Sequence, residues 1–83
     1  VTVQQIASLE KEIRFATQKI DRWRLADRDL QEHYQNATSY TPSAIRRAES
    51  EVRYAETNLV AALDQLRDEI DPLVKQASAA TAI

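Results

Sequence analysis

No cysteine, glycine or methionine occurs among the 83 residues, and proline occurs twice. Without cysteine there is neither a disulfide framework nor thiolate chemistry, which points to a reducing, cytoplasmic setting. Without glycine, tight β-hairpin turns and phosphate-cradling loops both lose the residue they usually need. No apolar run approaches a membrane span, and the chain does not open with a basic stretch followed by an apolar one. Strong charge of one sign is absent too. Eleven Lys and Arg against 13 Asp and Glu leave −2, whereas phosphate binding needs a positive field, so nucleic acid is not the expected partner. A single histidine, His33, stands near Asp29 and Glu32; it reads as a solvated side chain, because a metal site needs several converging ligands. No nucleophile has a neighbouring base. The expectation is a non-enzyme with no cofactor and no metal.

What is present is 43% apolar and 29% charged residues, set at helical spacing. In the first arm the apolar positions are Ile6, Leu9, Ile13, Ala16, Ile20, Trp23, Leu30, Tyr34 and Ala37, with Asp27 in the one missed slot. Steps of three and four in alternation describe a coiled-coil-like seam. A helix is expected over about 3–36, roughly 50 Å long at 1.5 Å per residue. Asp27 is a carboxylate within the seam, for which Arg24 and Arg53 are the candidate partners.

The break is Asn36-Ala37-Thr38-Ser39-Tyr40-Thr41-Pro42-Ser43. Asn36 is placed to end the first helix in the left-handed conformation. Residues 37–41 form the turn. Thr41 caps the second helix, Pro42 fits its first position, and Tyr40 is placed to staple onto Ile45. The same stretch contains the sequon Asn36-Ala37-Thr38, but capping accounts for these residues.

The second arm, about 42–78, repeats the pattern through Ile45, Ala48, Val52, Ala55 and Leu59, then Leu63, Leu66, Ile70, Leu73 and Ala77. The step from Leu59 to Leu63 reads as a four-residue stutter. Pro72 predicts a kink or a restart, and the tail 79–83 is expected to fray. Glu10–Arg14, Glu49–Arg53 and Asp71–Lys75 are spaced as ion pairs along their helices. Folded together, the arms match large side chains with small ones at Leu30–Ala48, Trp23–Ala55 and Ala16–Leu63. The fold class is all-α, an antiparallel two-helix hairpin.

A lone hairpin buries each helix on one narrow side only. Phe15, Leu25, Tyr54, Val60 and Val74 are left off the seam. They suggest an apolar partner face, and hence assembly into a four-helix bundle, as a homodimer or on a partner protein's helices. The function this supports is protein–protein interaction or oligomerisation, as in a small helical adaptor, chaperone or assembly subunit. Arg22, Arg24, Arg28, Arg46, Arg47 and Arg53 gather in the half near the turn, interspersed with acids. The first five are candidates for contact with a partner or an anionic surface. A hairpin-dimer nucleic-acid binder is a third reading.

Asp21-Arg22 with Asp27 and Asp29, Thr41-Pro42-Ser43-Ala44, Ala48-Glu49-Ser50-Glu51 with Ala55-Glu56, and Asp68-Glu69-Ile70-Asp71-Pro72 also form a set. Over Lys19–Gln76 this set resembles the tip hairpin of amphiphysin-type BAR domains. The resemblance implies a dimeric helical bundle that binds and bends anionic membranes, with Arg22, Arg24, Arg28, Arg46 and Arg47 facing lipid. The chain is shorter than the full three-helix bundle, and its turn carries no Lys or Arg.

Overall fold

The computed structural model describes residues 1–81 and forms a helical hairpin. Helix α1 spans Val3–Gln35, a short 3₁₀ turn spans Ala37–Ser39, and helix α2 spans Pro42–Thr81. The molecule measures 65 × 20 × 15 Å. Two helices of about 10 Å diameter fill that cross-section as one layer.

Both helices begin on a threonine. Thr2 Oγ1 accepts from Gln5 N at 3.2 Å while Gln5 Oε1 accepts from Thr2 N at 2.8 Å, a reciprocal capping box. Thr41 Oγ1 accepts from Ala44 N at 3.2 Å, as expected of an N-cap. The end of α1 differs from the expectation. Asn36 has φ −118° and ψ 40°, and no described residue has positive φ. A left-handed asparagine crowds its Cβ against the backbone, and another route is open here. The Asn36 backbone N–H and Nδ2 both donate to Glu32 O at 3.1 Å. The chain then tightens right-handedly, with Ser39 N donating to Asn36 O at 2.8 Å.

Tyr40 also reaches back to α1 across the turn. Its ring stacks on His33, with centroids 4.0 Å apart and planes 29° from parallel. His33 is therefore half-buried rather than solvated. Its Nδ1 lies 2.7 Å from Asp29 O, so the tautomer carrying a proton on Nδ1 donates to that carbonyl.

Among the described residues the buried ones are Ala16, Leu30, Ala48 and Ala62, with Ala62 only 1% exposed. Three alanines let the helix backbones approach closely but bury little apolar area. Half-buried Leu9, Ile20 and Trp23 continue the seam on α1, as do Ile45, Val52, Ala55, Leu59, Leu66 and Leu73 on α2.

There is no stutter in α2. Ala62, not Leu63, occupies the seam, and the inward positions run Leu59, Ala62, Leu66, Glu69 and Leu73 in unbroken steps of three and four. Leu63 is 44% exposed. The seam opposite Ala16 takes an alanine in each helix, so the expected Ala16–Leu63 layer is not formed. Helix α2 also continues through Pro72 without a restart and on to Thr81, past the expected 78. The remainder of the expected frayed tail, 82–83, lies outside the described residues.

Among the described residues surface ion pairs are few. Arg53 Nη2 stands 3.9 Å from Glu49 Oε2, and Arg67 Nη2 stands 3.6 Å from Asp64 Oδ1. Glu10–Arg14 and Asp71–Lys75 do not close to 4.0 Å among the described residues, and exposed pairs of this kind contribute little in any case. Asp27 is half-buried, but neither Arg24 nor Arg53 reaches it; Arg53 turns to Glu49 instead.

Candidate interaction surface

The hairpin has two lateral sides, each fixed by one cross-helix feature. On the first, Tyr34 Oη donates to Glu49 Oε1 at 3.0 Å. On the second, Lys11, Glu12, Arg14, Phe15 and Gln18 of α1 share an open groove with Gln65 of α2. Residues seven apart hold the same side of a helix in such a pairing, so these two anchors sort the remaining side chains.

On the first side, continuing the Tyr34–Glu49 pairing by heptads sets Asp27 level with Glu56, Ile20 with Leu63, Ile13 with Ile70 and Ile6 with Ala77. Near the turn this side is polar. Toward the open end it is apolar and uncovered, with Ile6 41%, Ile13 45%, Leu63 44% and Ile70 37% exposed. Val60 and Val74 flank Leu63 and Ile70 on α2, at 52% and 55% exposed.

Of the expected apolar partner face, only Val60 and Val74 belong here. Phe15 lies on the second side, with Lys19 Nζ 5.0 Å from its ring centroid. Tyr54 follows the same heptad line as the Gln65 flank and so also takes the second side. Leu25 is on the back of α1. Phe15, Leu25 and Tyr54 are all exposed, but the fold does not bring them together with Val60. The residues missed in the sequence are Ile6, Ile13, Leu63 and Ile70. All four had been assigned to the seam by hydrophobicity.

The arginines are divided in the same way. Arg22 lies one heptad from Phe15 and Arg47 one heptad from Tyr54, both on the second side. Arg24 and Arg46 take the first side, and Arg28 lies toward the back of α1. All five are exposed, and none has a carboxylate within 4.0 Å among the described residues. They ring the turn half of the rod and do not line one face.

Chemistry at the first side is limited to the Tyr34–Glu49–Arg53 chain. The hydrogen bond to Glu49 holds the phenolic proton and raises the Tyr34 pKa above the usual tyrosine value; desolvation and the Glu49 charge act in the same direction, and Arg53 opposes them. Because the folded-state pKa lies above the unfolded value of about 10, the stabilisation is intact below that pH. It is lost as pH rises through the folded-state pKa. Glu49→Gln is expected to bring the Tyr34 titration, followed by ring NMR shifts, back toward the free value. An unchanged titration would show that Glu49 does not hold the proton.

Among the described residues no three His, Cys, Asp or Glu side chains converge as metal ligands, and no helix is long and apolar enough to cross a membrane. Comparison with protein-family models, with curated proteins and with solved structures finds no match to this chain.

Proposed function

We propose that the chain is a non-enzymatic interaction and oligomerisation module, a small helical adaptor, chaperone or assembly subunit that packs its outer faces on further helices. The observation that carries this is the single-layer form, whose accessible surface is 6491 Å² for 9.5 kDa. A compact monomer of that mass exposes about 5,000 Å² by size scaling. The excess, roughly 1,400 Å², exceeds the approximately 800 Å² that each partner contributes to a standard interface. A core made largely of alanines supports at most ~3–5 kcal/mol on its own, so covering further apolar surface is the direct route to a stable particle. A coiled-coil-like four-helix bundle formed by a homodimer is the simplest such assembly, and the absence of cysteine fits the cytoplasm. The scattered arginines give the membrane-surface reading no single cationic face.

Light scattering from low to high micromolar concentration is expected to show a dimer, with a melting temperature that rises with concentration. A strict monomer whose cooperative melt ignores concentration overturns the proposal.

A further inference from the structure

Between Val60 and Ala77, α2 carries two stripes at heptad spacing. The inner stripe, Leu59, Ala62, Leu66, Glu69 and Leu73, faces α1. The outer stripe is Val60, Leu63, Arg67, Ile70, Val74 and Ala77, again in steps of three and four. Its large apolar members are all more than a third exposed, and Ile6 and Ile13 of α1 border it. A helix covered on one side needs one such stripe, and a second at the same period provides for another helix. The stripe stops at the middle of the rod. On the same side toward the turn stand Glu56, Arg53 and Glu49. Whatever covers the stripe therefore overlaps the open half alone.

We infer that the outer stripe of α2 packs against the same stripe of a second copy running antiparallel, with the two turns pointing in opposite directions. This rests on the reading of the chain as an oligomerisation module and names its interface. Three features select the occupant and its direction. Reversed upon itself about the point between Arg67 and Ile70, the stripe sets Val60 opposite Ala77 and Leu63 opposite Val74. Apolar side chains thus meet on both flanks of a two-fold arrangement, with Arg67 opposite Ile70 at its centre. A parallel pairing of the two α2 helices would stack Arg67 directly on Arg67, whereas the antiparallel one offsets the two by about 4.5 Å along the axis. The third feature is charge. Arg67, the one charge within the stripe, has its side chain 67% exposed and among the described residues pairs only with Asp64 on its own helix. Glu10, which borders Ile6 and Ile13, has no cation within 4.0 Å among the described residues. The antiparallel arrangement brings Glu10 within one helical turn of Arg67 of the second copy. The excess surface of the hairpin as a whole, roughly 1,400 Å², leaves room for such an interface.

The direction can be read from particle length. The hairpin is 65 Å long. An antiparallel dimer centred between Arg67 and Ile70 spans about 90 Å at 1.5 Å rise per residue, whereas parallel side-by-side hairpins keep the length of one. Small-angle scattering with light scattering on the full chain is expected to give a dimer of the longer dimension. Leu63→Glu with Ile70→Glu should weaken association on the order of 100-fold while far-UV dichroism stays helical, since both positions face outward. Arg67→Glu should weaken it about tenfold at low salt, and adding Glu10→Arg should restore most of that loss. Rescue would not follow if Arg67 acted only within its own helix. A dimer as short as the single hairpin, one indifferent to the double glutamate variant, or failure of the charge swap overturns this interface while leaving oligomerisation standing. A strict monomer overturns both.

Discussion

Ala62→Asp is expected to unfold the hairpin. Ala62 is 1% exposed, in the seam of a helix pair whose only large buried side chain among the described residues is Leu30. A carboxylate there either enters the seam unpaired, at a cost of several kcal/mol, or forces the helices apart. Either outcome matches or exceeds the ~3–5 kcal/mol available to a domain of this size, so the far-UV helical signal should largely vanish at 25 °C. Leu63→Asp, one residue on, is the informative companion. By hydrophobicity it is the more damaging change, yet Leu63 is 44% exposed. It should leave the fold of the individual hairpin intact and act on association instead. If Leu63→Asp unfolds the chain and Ala62→Asp does not, the seam runs through Leu63 and the unbroken heptad is wrong.

Pro72→Ala should act in the opposite direction. Pro72 lies inside α2, where it supplies no N–H to the Asp68 carbonyl and its ring crowds that oxygen, a combination that costs ~3 kcal/mol in a helix interior. Pro72 is exposed, so alanine removes that cost without opening a cavity. Thermal melts followed by dichroism should rise on the order of 10 °C for a chain of this length, and amides on both sides of position 72 should exchange more slowly. A melting temperature unchanged within error would mean that the last turns of α2 lie outside the cooperative unit.

The hairpin was legible because its strongest signals are local. Thr41 and Pro42 mark the start of α2 by cap chemistry alone, and the apolar phase in each arm outruns any competing period. Even the Thr2–Gln5 capping box stands in the sequence as a Thr-x-x-Gln pattern. The side faces were less legible. Hydrophobicity ranks Leu63 over Ala62 and Ile70 over Glu69, whereas packing ranks them by angle, and close helix approach favours the alanine. That single substitution of one neighbour for another created the apparent stutter. It also hid the outer stripe by placing two of its residues in the core. His33 and Tyr40 failed for a different reason: their stacking depends on where the turn returns the chain, and no local spacing reports that.

The hairpin's topology also has a kinetic meaning. Tyr34 and Glu49 are 15 residues apart, whereas Leu9 and Leu73, both toward the open end, are separated by most of the chain. Closure entropy grows with loop length, by about 0.6 kcal/mol per doubling, so assembly favours starting at the turn and closing toward the termini. Opening follows the reverse order, and protection against exchange should decline along the rod from the Tyr34 layer outward. The termini close last and open first, and the outer apolar stripe of α2 lies at that end. A contact made there would slow the opening of the whole rod as well as add area. The turn would then govern how fast the molecule forms, and the opposite end how long it lasts.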